Sequence, residues 1–441
     1  MHTRRDILGL AWPAVLDNLL HTLTVTVDMI MVGRLGASSL AAVGLGGQVI
    51  FIFQSVMIAV TAGTVALVAR SIGEKDTVKA GKVLEQSLFF GALATFLGTP
   101  ILSFFSGDIL RIYQAEEDVL SIGSQYLGIA ILSLAFMFIC LANAQALRGA
   151  GDTRTPLGIS SLINGTNVAL NYIFIFGKLG FAPMGVRGAA LGTVLAFILG
   201  SIVYAVLLWR RKLKIHVSLK EFFPDVSLFR KILNIGTPAA LEQFVIQLGF
   251  LAFTVIITSF GTDSIAAHQI GLRIQSFSFM PGLGFAVAAT ALVGQNLGAK
   301  KPEEAEKSGW EACRLAILLM VGVGVFIFIF AADIAEVFVS EQSVIDKAVI
   351  SIRILAFAEP AIAVHFTIAG ALRGAGDTKW PLYASTAGLY GFRLPLAYFL
   401  GYTVGAGVVG AWIAMGIEYF VRSFFVSLRF KRGEWKTLEV F

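Results

Sequence analysis

Long apolar stretches, broken by short polar ones, run the length of this chain. Val43–Val68, Leu127–Ala146 and Leu315–Ala332 are among them, and each suffices to cross a bilayer, which takes about 20 residues of helix. A membrane barrel would instead need alternating segments of about 10 residues, and that alternation is missing. The pattern predicts twelve helical spans: 7–32, 40–68, 84–106, 119–146, 156–177, 186–209, 232–259, 265–295, 310–332, 344–371, 381–402 and 407–428. The fold class expected is an all-α polytopic membrane protein. Arg210–Lys231 is the most polar stretch. It divides an N-lobe (1–212, spans one to six) from a C-lobe (231–441, spans seven to twelve), with 213–230 as a cytoplasmic linker.

The two halves repeat one another. Ala146–Leu157 reads ALRGAGDTRTPL and Ala371–Leu382 reads ALRGAGDTKWPL, 225 positions later. The same offset carries Pro13 to Pro238, Asp17 to Glu242, Gly36 to Gly261 and Gly73 to Gly298. One register held this far means a duplicated unit, the internal symmetry found in secondary transporters. Six spans per unit give both halves the same orientation, related by an axis along the membrane normal.

Composition and charge narrow the class. The chain is 56% hydrophobic and 14% charged, against about 25% charged in soluble domains. If the N-terminus, the even-numbered connections and the tail form one side, that side holds 24 Lys and Arg. The other side holds only Arg34, Arg111, Lys178, Arg187 and Lys347. The richer side belongs in the cytoplasm. The expectation is a multi-pass plasma (inner) membrane protein with both termini cytoplasmic. The net charge of +6 reflects topology, so no nucleic-acid partner is expected. Arg4-Arg5 precede an apolar run that carries Asp17 and Asp28, which favours an uncleaved first span over a signal peptide. Cys140 and Cys313 sit at non-equivalent repeat positions and suggest neither a disulfide framework nor a metal site. Gly149-Ala150-Gly151-Asp152 is a turn between spans without a Walker lysine, so no ATP chemistry is encoded. Neither an enzyme nor a cofactor is expected.

An ionisable group at membrane depth costs about 2.5–3.5 kcal/mol on insertion scales and marks a functional site by default. Asp28, inside Val25-Thr26-Val27-Asp28-Met29-Ile30, is the clearest case. Low dielectric disfavours its charged form and a bound cation favours it. Such a carboxylate can trade a proton for another cation. The structural alternative is an Asp that merely ties helices together. Asn164, Asn167 and Asn171 fall at i, i+3 and i+7, on one face of span five. Thr193 of span six adds a hydroxyl. Amide and hydroxyl oxygens suit a hard monovalent cation, Na⁺, or a protonated network. The alternative for each residue alone is packing between helices, and for Asn164 it is the better one.

The repeat supplies an internal control. Asp28 maps to Phe253, Asn167 to Phe392, Asn171 to Leu396 and, at offset 222, Thr193 to Met415. A generic scaffold would have kept some of these polar groups, so their one-sidedness argues for a cation site at Asp28, Asn167, Asn171 and Thr193. The second half has its own polar set: Glu359, His365, Arg393 and Glu418. Arg393 with Glu359, and Glu418 with Arg422 at i, i+4, read equally as buried structural pairs or as functional groups. His21, Gln54, Asn143, Asn164, Glu242, Glu359 and Arg393 are candidates for a substrate cavity or a second site. Asp17 and Glu242, equivalent by repeat, read mainly as scaffold or gate elements.

With these residues in hand, the chain resembles the multidrug and toxic compound extrusion (MATE) family over its whole length. The marks are Pro13, Val27-Asp28 with Val32-Gly33-Arg34-Leu35-Gly36, and the turns Leu147–Gly149 and Leu372–Gly374. Asn167-x-x-x-Asn171-Tyr172-Ile173-Phe174 and Gly185-Val186-Arg187-Gly188-Ala189-Ala190-x-x-Thr193 complete them. The resemblance implies two six-helix lobes in a V around a central cavity. It implies cation-coupled (H⁺ or Na⁺) export of amphipathic, often cationic drugs by alternating access. It also implies that the residues matching Asp28, Asn167, Asn171 and Thr193 form the coupling site. Some members carry Asp where this chain has Asn171. A monomer is expected. The rival reading is a flippase of lipid-linked oligosaccharides from the same superfamily.

Overall fold

The computed structural model describes residues 4–111, 116–217 and 223–438, which leaves 218–222 of the expected linker outside the described residues. Every described element is helical. The first half contains α1 (Arg4–Gly33), α2 (Ala37–Gly73), α3 (Thr77–Phe104), α4 (Ser106–Arg111), α5 (Glu117–Ala130), α6 (Ser133–Gly149), α7 (Arg154–Phe176) and α8 (Val186–Trp209). The second contains α9 (Val226–Thr258), α10 (Thr262–Ser278), α11 (Met280–Gly298), α12 (Pro302–Ile329), α13 (Ala331–Phe338) and α14 (Gln342–Gly374). It closes with α15 (Lys379–Thr386), α16 (Leu394–Tyr398) and α17 (Gly407–Arg432).

Among the described residues, ten helices are long and apolar enough to span a membrane, with α10 and α11 forming one of them. Span four is broken, its pieces α5 and α6 meeting at 49°. Span eleven is helical throughout but wound as π-helix over Ala387–Arg393 and Phe399–Thr403, on either side of α16. Ten spans, or eleven with the broken one, are thus long and apolar enough to cross, and span eleven, helical over 379–403, is the remaining segment read from hydropathy. Tags at Lys75, Lys214 and Lys300 should therefore be shielded from external reagents, and tags at Glu117 and Ser340 should react. Cysteine labelling of intact cells that finds Lys214 outside would overturn this orientation.

The turn after span four explains the strongest repeat. Gly151 and Gly376 take φ of 74° and 88°, a left-handed conformation that glycine adopts without penalty. Asp152 N donates to Leu147 O at 2.8 Å, and Asp377 N donates to Leu372 O at 2.9 Å. Both are Schellman caps that satisfy the orphan carbonyls of α6 and α14. The neighbouring arginines are used in parallel. Arg148 Nη2 lies 2.5 Å from Asp17 Oδ2, and Ser160 donates to Asp17 Oδ1. Arg373 Nη2 lies 2.7 Å from Glu242 Oε2, and Ser385 Oγ donates to Glu242 Oε1 at 2.9 Å. Each latch ties the middle of a long helix to the turn. Removing one partner of a buried pair costs about 3–5 kcal/mol, which accounts for the duplication as scaffold.

The chain forms two compact units. One is Leu16–Gly236; the other takes the chain up to Val15 and from Thr237 onward. By compactness the chain thus divides inside α1 and α9. The beginning of α1 belongs with the second half and the beginning of α9 with the first. Two glycines account for this. A Cβ on Gly236 of α9 would stand 1.6 Å from the Ala59 carbonyl oxygen of α2. A Cβ on Gly284 of α11 would stand 2.8 Å from the Ala11 carbonyl oxygen of α1. At offset 225 these pairs exchange: Gly236 corresponds to Ala11 and Gly284 to Ala59. Small residues at helix interfaces let backbones meet closely. The linker's far end is held by Gln86 of α3, which donates to Phe223 O and accepts from Asp225 N, both at 2.8 Å.

Candidate functional site

The four residues of the expected cation site converge within the Leu16–Gly236 unit. Asp28 comes from α1, Asn167 and Asn171 from α7 at i and i+4, and Thr193 from α8. Asn171 Nδ2 donates to Asp28 Oδ1 at 2.8 Å and to Asn167 Oδ1 at 3.2 Å. Asn167 Nδ2 donates to Thr193 Oγ1 at 3.0 Å, and the Thr193 hydroxyl donates to Ala189 O at 2.9 Å. Both amides are buried, while Asp28 is half-buried. Asp28 is therefore reachable from one side and backed by neutral dipoles on the other.

The Asn167 amide can be placed in two ways, since its O and N are not distinguished by shape. Turned over, its nitrogen donates to Asp28 Oδ2 at 2.9 Å and its oxygen accepts from Thr193 Oγ1 at 3.0 Å. Unturned, its oxygen faces the same carboxylate oxygen. The turned arrangement satisfies an ionised Asp28. The unturned one needs a proton or a cation between the two oxygens. Turning it gives up the bond from Asn171 and sets the two amide nitrogens 3.2 Å apart, so each placement trades one contact of the network for another.

Sequence reasoning missed Gly192. A Cβ there would stand 2.1 Å from Asn171 Oδ1 and 3.1 Å from Asn171 N. One turn earlier, a Cβ on Gly188 would stand 2.6 Å from the Phe174 carbonyl carbon, so α7 and α8 meet nearly backbone to backbone. The repeat separates the two glycines. Gly188 maps to Gly410, another close contact, whereas Gly192 maps to Ala414. Gly192 is absent where Asn171 is absent, and that was the available signal. Tyr126 was also missed; it packs with Val32, Ile175 and Ala189 beside the site.

The other candidates do not join this network. Asn164 stands one turn away on α7, and its Nδ2 has no hydrogen-bond partner among the described residues. Gln54 donates to Met137 Sδ at 3.3 Å, and Asn143 Nδ2 donates to Ile139 O at 2.8 Å. His21 is exposed on α1. Glu242 is committed to its latch.

In the second half, the Arg393–Glu359 pairing read from the sequence is not formed. Arg393 Nη2 lies 2.9 Å from Glu418 Oε2, and Arg422 pairs with the other Glu418 oxygen. The Glu418–Arg422 pairing is formed. The rings of Phe250, Phe253 and Tyr419 surround the Arg393 guanidinium at 5.1–5.5 Å. Phe253 is the counterpart of Asp28, so a fixed cation stands in the second half near where the first half has its carboxylate. Arg393 closes the first π segment. A wider turn rotates every later side chain relative to an α-helix, which is why periodicity could not assign its partner. Glu359 is fully buried, and the nearby Ser278 hydroxyl donates instead to Gln275 O at 3.1 Å.

Comparison with known proteins decides the family. The MatE family model matches residues 13–173 and again 238–399, two blocks in the register of the repeat. The chain belongs to the MatE family. The probable multidrug resistance protein NorM of Thermotoga maritima is 34% identical, over 98% of this chain and 93% of that protein. An outward-facing multidrug resistance MATE transporter has the same fold: TM-score 0.91 at 24% identity, covering 97% of this chain and 96% of that one. A Pyrococcus furiosus transporter of the MOP superfamily, described as having a binding pocket of reverse polarity, aligns at TM-score 0.91 and 25% identity. That alignment covers 99% of this chain and 97% of the other. This MatE protein is thus a multi-pass helical membrane protein of a transporter family.

Proposed function

We propose that this MatE protein is a multidrug exporter driven by cation antiport, with Asp28 as the exchanging group. The observation that carries the reading is the Asp28–Asn171–Asn167–Thr193 network, present in one half and replaced by apolar residues in the other. A cation arriving from outside binds Asp28. The units rearrange, an amphipathic organic compound leaves outward, and the cation-loaded carrier returns. One cation entering at about 100 mV against a neutral compound supplies about 2.3 kcal/mol, or roughly 50-fold in substrate gradient, whereas exchange for an organic cation is electroneutral and draws on the cation's concentration gradient alone. The two units are joined through α1 and α9, and Pro13 and Pro238 lie in those helices near the crossings. A proline removes a helical hydrogen bond, which suits a hinge.

The coupling ion is read as a proton. Asn171 turns its NH₂ towards Asp28, and its Oδ1 lies against Gly192 without a hydrogen-bond partner. A sodium ion would want that oxygen turned inward. A proton needs only Asp28 and the Asn167 oxygen. Drug efflux from proteoliposomes under a pH gradient in sodium-free buffer is the test. Full transport is expected. Silence there, with activity under a sodium gradient, would assign sodium instead. The flippase reading is disfavoured because holding a phosphate inside the protein needs free buried cationic groups, and the buried arginines Arg393 and Arg422 are both bound to Glu418.

A further inference from the structure

A groove of about 500 Å³ runs between α14 and α17, alongside the end of α12. Its walls are apolar except for one charge, Arg353. Phe357 and Phe420 close its far end, their rings 5.9 Å apart. Gly416 makes room at its floor. Arg353 is exposed, and its guanidinium lies 5.3 Å from the Phe328 ring centroid. No carboxylate pairs with it among the described residues. Phe328 is one residue from the end of α12, so Arg353 stands level with that helix end. It is eleven positions into α14, roughly 16 Å along the axis.

A cation on an apolar membrane face is costly unless it reaches water or meets an anion. Guanidinium pairs with phosphate through parallel hydrogen bonds. We propose that this groove is a phospholipid site: Arg353 holds the phosphate of an anionic headgroup, and an acyl chain lies between α14 and α17. Depth and direction agree. The charge is level with the end of α12, and the groove continues from it towards Phe357 and Phe420, further along α14 and α17. The repeat agrees as well. Arg353 maps to Gly128 and Gly416 to Val194, so the first half lacks both the charge and the space. The two differences occur together, as one ligand would require. Under the proposed orientation the lipid belongs to the external leaflet.

The test is native mass spectrometry and thermal unfolding of the purified, delipidated protein titrated with dioleoylphosphatidylglycerol or dioleoylphosphatidylcholine. Wild type should retain phosphatidylglycerol about five- to tenfold more tightly and unfold at a higher temperature with it. Arg353→Gln should remove that preference, and Arg353→Lys should keep part of it. Ile417→Trp, which fills the groove and leaves the charge, should weaken both lipids. Equal retention of the two lipids by wild type would overturn the proposal. So would an unchanged preference in Arg353→Gln, or equally tight binding of glycerol 3-phosphate, which would assign free phosphate. None of these readouts depends on transport, so the outcome is independent of the coupling mechanism.

Discussion

Asp28→Asn should abolish concentrative drug transport while leaving the protein folded in the membrane. The replacement has the same shape, so packing on α1 is preserved. An amide can still bond to the Asn171 and Asn167 side chains, and burying it is cheaper than burying a carboxylate. The lost property is the ability to exchange one cation for another at a fixed place. Without that exchange the roughly 50-fold gradient supported by one charge at about 100 mV falls to none, and uptake into energised vesicles should match leak. Thermal unfolding should be unchanged or slightly improved. Near-normal accumulation by this variant would remove Asp28 from coupling altogether. Loss of transport together with loss of folded protein would instead make it a structural tie.

The spans were legible because membrane segments must be long and apolar, and because charged residues cluster at their ends. The site was legible for a related reason. Acid and amide groups within an apolar helix are expensive, so Asp28, Asn167, Asn171 and Thr193 stood out, and the apolar second copy showed that the fold does not need them. Asn164 shares their face but stands one turn away, and the packing role read for it fits its place outside the network. The exchange of helix starts between the units was hidden, since apolar surface does not name its partner. The pairing of Arg393 with Glu418 was hidden by π turns, which change side-chain direction without an obvious mark in sequence. Gly192 was hidden differently: its contribution is the absence of a side chain, in a chain with 46 glycines.

Gly192→Ala should therefore be nearly as damaging as loss of the acid itself. The new methyl would lie 2.1 Å from Asn171 Oδ1, about 1 Å inside ordinary contact. Two movements could relieve this. Helix α8 could withdraw from α7, but Gly188 is packed against the Phe174 backbone one turn away, so the helices would have to part along their shared face. The cheaper response is rotation of the Asn171 side chain, which breaks its hydrogen bonds to Asp28 and Asn167. Each such bond contributes about 0.5–1.5 kcal/mol, and a 1 Å misplacement at a working site can cost about 100-fold in rate. Gradient-driven efflux should fall by about that factor, with the cation dependence shifted and the unfolding temperature only slightly lower. The decisive comparison is made in a second background. If Gly192 acts by holding Asn171, adding Gly192→Ala to Asn171→Ala should change transport no further, because interacting sites are not additive. Wild-type cation dependence in the single variant, or full additivity in the double, would show that this glycine serves only the packing of α7 on α8.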